Sequence, residues 1–270
     1  MSDRIDLLNL RDGYVSPPRK IGLLAKMFPT AVFYRYMLRE VFLGSKNGKT
    51  GKLTEEAYYR NAVGIFRAAE RVGAKIEITG YDQVPVDGWP YVFVANHMSV
   101  LETFLFAAIM YPKGEHNFVV KKSLTEYPVF KHIMLGLDPV VVGRENPRHD
   151  LTHVLTKGTE KLHNGQSMII FPQRTRTAKF QPDQFNTIGI KLARRAGVRV
   201  VPVALKTDFW GQGKLVKDFG GIFPQKSVHF HFGAPMEIVG KGQQEHDYIV
   251  KFIGRYVSQW EAEESSNEQA

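Results

Sequence analysis

The chain has no cysteine among its 270 residues. This absence excludes disulfide bonds, a thiolate nucleophile and metal sites built on cysteine, and it fits a reducing compartment. No uncharged apolar run approaches the ~20 residues that a membrane-spanning helix needs, so we expect no such helix. No basic segment followed by an apolar segment marks a signal peptide, and none is predicted.

Motifs of several large enzyme classes are also missing. A serine hydrolase needs Gly-x-Ser-x-Gly after a strand, and Gly165–Ile169 lacks the last glycine and precedes a strand instead. A dinucleotide site needs a third glycine that Gly211–Val216 lacks, and no Walker-type loop is present. Two histidine pairs offer too few ligands for zinc, so we predict no metal and no cofactor. The pairs are His149 with His153 and His229 with His231.

What the chain does have is enough apolar material for one substantial core, at 43% hydrophobic residues, and an uneven excess of positive charge. Residues 1–60 hold eleven Lys and Arg against six Asp and Glu, whereas residues 261–270 hold four Glu and no base. The acidic end is predicted to be a disordered tail. Because no nucleic-acid-binding module accompanies the basic charge, no nucleic-acid partner is expected.

The segment Lys20–Leu43 mixes aromatic and apolar residues with cations. This mixture favours a helix that lies in a membrane interface, with cations near anionic headgroups. The alternative is a helix that packs on the core and has a solvent-exposed basic edge. Gly44–Gly51 is rich in glycine and polar residues, which predicts a connector after a separate arm. We therefore assign residues 1–53 to a membrane-associating arm and linker, 54–260 to the main domain and 261–270 to the tail.

From Lys75 onward, strand-like and helix-like segments alternate, after a helix that Thr54 should cap and Gly73 should end. This pattern predicts an α/β fold, mostly a β sheet flanked by helices. The predicted strands are Lys75–Thr79, Tyr91–Ala95, Phe118–Val120, Val140–Val142, Met168–Phe171, Val198–Leu205 and Val228–Phe232. The predicted helices are Val100–Met110, Leu124–Leu135, His149–His163, Asp183–Ala196 and His246–Trp260.

His97 and Glu102 directly follow one of these strands, where an α/β fold commonly carries its chemistry. Residues five apart do not share a helix face, so the two side chains can meet only if His97 precedes the helix and Glu102 lies in its first turns. Ser99 is then the predicted N-cap. The carboxylate would fix the imidazole tautomer and stabilise its protonated form, while the alternative is a purely structural pair.

Four segments in order resemble the glycerolipid acyltransferases. Asn96–Glu102 is similar to the first block of that family, and Lys121–Leu124 with Val140–Arg144 is similar to the second. Phe171–Thr177, with the sequence FPQRTRT, resembles the family's Phe-Pro-Glu-Gly-Thr-Arg-Ser, and Val201–Leu205 resembles the fourth block. The resemblance spans roughly residues 84 to 235. It implies a glycerol-3-phosphate acyltransferase-like fold and a PlsC-like activity.

The resemblance implies transfer of a fatty acyl group from acyl-CoA or acyl carrier protein to a lysoglycerolipid hydroxyl. The first expectation is 1-acylglycerol-3-phosphate as acceptor; the alternatives are another lysolipid or non-phosphate acceptor, and a non-catalytic lipid-surface protein. His97 would be the general base and Glu102 would orient it. Arg144 and Arg176 would bind the acceptor phosphate, and Lys121 would either assist as a point charge or be a solvated lysine. The protein would lie on the cytoplasmic side of a membrane as a peripheral protein.

Three residues depart from the family pattern. Glu102 replaces an aspartate and lengthens the arm by one methylene, Gln173 replaces a glutamate, and Arg174 replaces a glycine. Arg174 would grip a second anionic group on the acceptor or narrow its subsite; the alternative is a solvent-facing side chain. Thr175 is a further candidate for substrate binding, although its position favours a role in shaping the turn.

Overall fold

The computed structural model describes residues 4–173, 175–213 and 217–269, the last three by their backbone alone. The strands are β1 Tyr14–Val15, β2 Ile76–Thr79, β3 Val92–Ala95, β4 His116–Lys121, β5 Val140–Val142, β6 Ser167–Ile170, β7 Val200–Lys206 and β8 Val228–Phe232. The helices are α1 Leu23–Met27, α2 Pro29–Lys49, α3 Glu55–Arg71, α4 Leu101–Met110, α5 Lys122–Glu126, α6 Phe130–Leu137, α7 Pro147–His163, α8 Ile188–Ala196 and α9 Gln243–Gln269.

The strands described form one mixed sheet in the order β1-β2-β8-β7-β3-β6-β4-β5. Strands β7, β3, β6, β4 and β5 are parallel, while β8 runs antiparallel to β7. Helices cover both faces, so the predicted α/β sheet flanked by helices is confirmed. Because the five parallel strands point the same way, their carboxyl ends meet at one edge, and the segments that follow them can build a common site.

Alternate residues of the central strands supply two cores, one on each face of the sheet. Phe93 and Ala95 of β3 pack into the core under α2, α3 and α4, whereas Val92 and Val94 pack into the core under α7, α8 and α9. Strand side chains alternate in this way because successive residues point to opposite faces. Strand β3 is buried on both sides and holds the loop that follows it rigidly.

Two local sequence signals act as predicted, and a third does not. The Thr54 side chain accepts a hydrogen bond from the Ala57 amide at 3.1 Å and caps α3, and Gly73 ends that helix with φ +104°. The prediction of Ser99 as the N-cap of α4 is wrong, because α4 begins at Leu101 and Val100 is its N-cap; the Ser99 hydroxyl accepts a hydrogen bond from the Leu101 amide at 3.1 Å instead. The Thr54 cap fixes where α3 begins, and the Ser99 hydrogen bond stabilises the first turn of α4, the helix that carries Glu102.

Two predicted helices differ from the observed ones: one is divided in two, and the other begins later. The segment predicted as one helix over Leu124–Leu135 is two, α5 and α6, separated around Pro128. Tyr127 has an extended backbone with ψ 125°, because the ring of a following proline disfavours helical geometry. Likewise, the predicted helix from Asp183 becomes a short 3₁₀ turn, Pro182–Gln184, before α8 begins.

The predicted connector Gly44–Gly51 is wrong, because α2 is helical through Lys49. Its glycines allow close packing instead: a Cβ on Gly48 would lie 2.2 Å from the His132 carbonyl oxygen, and one on Gly44 would lie 3.2 Å from Ile133. The other buried residues of α2 are Phe33, Met37 and Val41. The N-terminal segment is therefore joined to the core through α2 rather than separated from it.

The predicted disordered tail is also wrong, because α9 continues to Gln269. Glu264 Oε1 accepts hydrogen bonds from Lys206 Nζ at 2.6 Å and from the Ser227 amide at 3.0 Å. Lys206 is 1% exposed and also pairs with Asp208 at 2.7 Å. Burial of a lysine requires compensating anions, and the acidic end of α9 supplies one of them.

Among the described residues, no helix combines the length and the apolar character needed to cross a membrane.

Candidate active site

The His97–Glu102 pair forms in the predicted geometry. His97 lies in the loop after β3, and its Nδ1 is 2.7 Å from Oε1 of Glu102 in the first turn of α4. A carboxylate only accepts, so Nδ1 carries a proton and Nε2 is the unprotonated nitrogen of the neutral ring. His97 lines a cavity, and its side chain is 19% exposed. The arrangement is that of a general base held by a carboxylate.

The backbone of His97 is held by the segment after β6, and the preceding Asn96 is held by β7. Its amide donates to Gln173 Oε1 at 2.8 Å, and its carbonyl accepts from the Thr177 amide at 3.0 Å. The His97 ring stacks on Phe171 with centroids 4.4 Å apart. Asn96 exchanges two hydrogen bonds with the Leu205 backbone, at 2.8 and 2.9 Å, which ties the end of β3 to β7. The base is therefore preorganised.

Glu102 is fully buried, and both of its oxygens are hydrogen-bonded. Oε1 also accepts from the Met98 amide at 2.7 Å, and Oε2 accepts from the Ser99 hydroxyl at 2.8 Å and from the Thr207 hydroxyl. Burial alone would raise the pKa of Glu102. The hydrogen bond and charge of His97, the Thr207 hydroxyl and the Ser99 amide outweigh burial and place the pKa below its usual 4.5. The carboxylate is therefore ionised at neutral pH.

An apolar cavity of about 710 Å³ extends from His97 into the protein. One face of α4 lines it through Phe104 and Ala107, together with Val100 just before the helix and Tyr111 just beyond it. The eleven steps from Val100 to Tyr111 span about 16 Å at a rise of ~1.5 Å per residue. The cavity is therefore long as well as apolar.

Polar groups close the far end of this cavity. Arg4 pairs with Glu55 at 3.1 Å and with Glu115 at 3.5 Å, and its guanidinium lies 4.9 Å from the Tyr111 ring centroid. Burial lowers the pKa of His116 to about 4, so its imidazole is neutral at pH 7. The cavity thus runs from the base at one end to a charged cluster at the other.

Arg176 lies at the mouth of the cavity, where its guanidinium donates to Asp218 in an ion pair. The Gln212 side chain donates to the Arg176 carbonyl at 3.1 Å. The two side chains of the ion pair are 20% and 32% exposed. The predicted phosphate-binding arginine is therefore close to the base, and a carboxylate of the protein occupies one of its donors.

The other predicted cations also line the cavity. Lys121 ends β4 and is exposed; Arg144 follows β5, is exposed and has φ +68°. The Arg144 amide donates to Asp150 Oδ2 at 2.7 Å. Thr175 lines the same cavity, while Arg174 lies outside the described residues. The structure thus brings together His97, Glu102, Lys121, Arg144, Thr175 and Arg176.

The sequence did not point to three residues that complete this site. Thr207 contacts Glu102 across 105 positions, and Asp218 contacts Arg176 across 42. Gln173 departs from the family pattern, which gives no role for it, yet it is 4% exposed and its side-chain oxygen accepts a hydrogen bond from the His97 amide. One signal was available for Thr207, since it directly follows a strand parallel to β3.

Comparison with known proteins gives consistent results. Residues 75–206 match the family model described as Acyltransferase. A 1-acyl-sn-glycerol-3-phosphate acyltransferase of Pseudomonas aeruginosa is 27% identical over 198 residues, which cover 73% of each chain. One from Borreliella burgdorferi is 25% identical over 182 residues, covering 67% of this chain and 69% of that one.

Among solved structures, the 1-acyl-sn-glycerophosphate acyltransferase from Thermotoga maritima matches with a TM-score of 0.63. It is 21% identical and the match covers 89% of this chain and 96% of that one, so the likeness concerns the fold. The matched family region contains His97, Glu102, Lys121, Arg144, Thr175 and Arg176. Residues 75–206 of this chain are therefore an acyltransferase domain, and the chain is similar to the PlsC-like glycerolipid acyltransferases.

Proposed function

We propose that this acyltransferase moves a fatty acyl group from a thioester donor to the free hydroxyl of 1-acylglycerol-3-phosphate, giving phosphatidate. The observation that carries the proposal is the 2.7 Å contact between His97 Nδ1 and Glu102, which leaves Nε2 as the base beside a long apolar cavity. The relatives named above supply the acceptor class, because their names specify 1-acylglycerol-3-phosphate. No covalent acyl-enzyme is needed.

In this mechanism His97 Nε2 takes the proton of the acceptor hydroxyl as its oxygen attacks the thioester carbonyl carbon. The resulting tetrahedral intermediate collapses, the carbon–sulfur bond breaks, and the imidazolium returns the proton to the leaving thiolate. The ionised Glu102 stabilises the imidazolium between these steps and keeps the ring in place. The buried, fully hydrogen-bonded state of Glu102 supports this division of roles.

The cations at the mouth suit the acceptor phosphate. Arg176 and Arg144 offer planar guanidinium groups, which can donate two parallel hydrogen bonds to phosphate oxygens. Lys121 adds a positive charge at the same edge of the sheet. The apolar cavity suits an acyl chain, because its walls bury hydrocarbon.

A membrane surface is the proposed source of the acceptor. Leu23, Leu24, Met27 and Phe28 are 55–73% exposed and lie beside the cation Lys26. Tyr34 of α2 packs near Phe219, and its hydroxyl donates to the Gly220 carbonyl at 2.8 Å. Because Phe219 also lines the cavity, the apolar surface of α1 and α2 adjoins the active-site mouth. A lysolipid could therefore enter from the interface without crossing bulk water.

Two serine substitutions at Leu23 and Leu24 test this surface. Exposed leucines that insert into the interface each contribute roughly 1–3 kcal/mol, so the double variant should bind anionic vesicles at least about tenfold more weakly. Vesicle co-sedimentation measures the change. Serine substitutions at Val239 and Tyr248 provide the matched control. These residues are 73% and 50% exposed and lie at or near α9, which covers the opposite face of the sheet. Equal loss for both double variants would argue against a specific surface.

The donor is proposed to be acyl-CoA or an acyl carrier protein, and the protein to be a peripheral protein on the cytoplasmic side of the membrane. Both donors present the same thioester, so the chemistry at His97 is common to them. The exposed cations at the mouth, Lys121 and Arg144, suit the anionic groups of either donor.

Another lysolipid acceptor is the second candidate, and the Arg176–Asp218 ion pair favours it. A phosphate that binds Arg176 must either displace the Asp218 carboxylate or lie next to it. A headgroup that also carries a cation would be repelled less by Asp218 than a phosphate monoester would. The acceptor choice therefore depends on a group that the family pattern does not include.

A thiol-release assay with a panel of acceptors tests both candidates. Acyl-CoA and acyl carrier protein are each offered with 1-acylglycerol-3-phosphate, with lysophospholipids that carry an ammonium group and with a non-phosphate alcohol. The His97→Ala variant should lose about 10²–10⁴-fold in rate with every acceptor, because the base is gone. Turnover by this variant within threefold of wild type would overturn the mechanism. No thiol release by the wild type with any acceptor would favour a lipid-binding protein.

A further inference from the structure

The carboxylate of Glu102 has two distinct sides. Oε1 faces His97 and the Met98 amide, while Oε2 faces the Ser99 hydroxyl and the Thr207 hydroxyl. The Ser99 amide contacts both oxygens at 2.9 Å. All donors except Thr207 lie within five positions of Glu102. Thr207 is the one described contact that ties the carboxylate to another strand.

Thr207 is itself rigidly placed. It is fully buried and directly follows β7, and its neighbour Lys206 is held by Asp208 and Glu264. Two positions earlier, Leu205 is bound through its backbone to Asn96, which directly precedes His97. The Thr207 hydroxyl is therefore fixed relative to the loop that carries the base. A hydroxyl so placed can define where Oε2 lies.

The length of the Glu102 side chain explains why a hydrogen bond from Thr207 would matter. A glutamate carries one more rotatable bond than the aspartate usual in the family, so its carboxylate has more orientations to lose. Anchoring Oε2 removes the rotation about the last bond and leaves Oε1 directed at Nδ1. An aspartate at the same position would be shorter by about one bond and would draw Oε2 away from Thr207.

We propose that Thr207 is a positioning residue of the active site, whose hydroxyl orients the Glu102 carboxylate toward His97 and so lets a glutamate take the place of the usual aspartate. The inference rests on the proposed role of His97 as the base. Thr207 touches neither substrate nor the reacting atoms, and it acts through Glu102. Its loss should therefore change kcat and leave the KM values for donor and acceptor unchanged.

Substitution at Thr207 tests this role. Thr207→Val keeps the shape and removes the hydroxyl, and it should lower kcat about tenfold or more, since a hydrogen bond to a charged group is lost. Thr207→Ser restores the hydroxyl and should stay within about threefold of wild type. Thr159→Val is the matched control, because the Thr159 hydroxyl is buried without a hydrogen-bond partner in the described structure. Its kcat should not change.

The Glu102→Asp variant supplies a second measurement that packing alone would not affect. If Thr207 acts through the longer carboxylate, then Thr207→Val should cost about tenfold in the wild type and less than about twofold in the Glu102→Asp background. Equal costs in both backgrounds would overturn the proposal. Thermal unfolding of each variant separates misfolding from loss of positioning, and Thr207→Ala replaces Thr207→Val if the valine variant does not fold.

The outcomes distinguish this inference from the proposed function. A wild-type kcat in Thr207→Val, together with an inactive His97→Ala, would overturn the role of Thr207 and leave the base in place. An active His97→Ala would overturn the proposed function itself. A loss in Thr207→Ser as large as that in Thr207→Val would show that the side-chain volume matters and not the hydroxyl, and would also overturn the proposal.

Discussion

The two halves of the active site are built differently. On the base side, Glu102 is fully buried and the His97 backbone, ring and Nδ1 each have a defined neighbour. On the cation side, Lys121 and Arg144 are exposed and Arg176 is held by a partly exposed carboxylate. The base side is complete before substrate arrives, whereas the cation side offers charges that a ligand can recruit. Chemistry is thus preorganised in the core, and acceptor choice is left to the loops.

Removing a cation should therefore affect one substrate only. Arg176→Ala should lower kcat/KM for the phosphate acceptor about 10–150-fold, the equivalent of ~1.5–3 kcal/mol for a charge-assisted contact, and should leave the KM of the thioester donor unchanged. Steady-state kinetics with each substrate varied in turn measures the difference. A loss shared equally between donor and acceptor would mean that Arg176 supports the site as a whole.

Substitution of Asp218, the partner of Arg176, should improve binding of the phosphate acceptor instead of weakening it. Asp218→Asn removes a competing anion, so the KM for 1-acylglycerol-3-phosphate should fall about 1.5- to 5-fold, in keeping with ~0.2–1 kcal/mol for an exposed ion pair. The KM for lysolipids that carry an ammonium group should fall by a smaller factor. If Asp218→Asn instead raises the KM as Arg176→Ala does, then Asp218 holds the arginine in its binding position.

The contacts that hold Lys206, next to Thr207, can be weakened by a substitution far from the active site. Glu264→Gln should lower the free energy of unfolding by about 1–3 kcal/mol, because the buried Lys206 loses one of its two anionic partners. Urea unfolding measures the change. Glu263→Gln is the matched control on the same helix, since Glu263 is exposed and contacts Gln259. Equal unfolding midpoints for the two variants would mean that Asp208 alone suffices for Lys206.

The catalytic pair could be predicted from the sequence, whereas the residues that hold the pair in place could not. His97 and Glu102 are five positions apart, so strand, turn and helix geometry fixed whether they could meet. Thr207 and Gln173 reach the same loop from 105 and 76 positions away, and which strands lie beside β3 is not encoded in local periodicity. The cations were predicted from motif resemblance, and Asp218 matched none of those motifs.

The errors in the fold have a common physical cause, which is that tertiary contacts override local composition. Glycines at 44 and 48 suggested a flexible connector, yet they let α2 approach α6 closely. Four glutamates after position 260 suggested a solvated tail, yet Glu264 is needed by a buried lysine. In both cases the local composition is explained by a contact with a residue distant in sequence, which local composition alone does not reveal.

The Lys206–Glu264 contact also has a consequence for synthesis of the chain. The two residues are 58 positions apart, and the ribosome adds roughly 5–20 residues each second. Strand β7 therefore emerges several seconds before the glutamate that neutralises its lysine. Until then, Lys206 has Asp208 but not Glu264 as an anionic partner, so the segment that places Thr207 beside Glu102 lacks part of its support even though the nascent chain already carries every residue of the reaction.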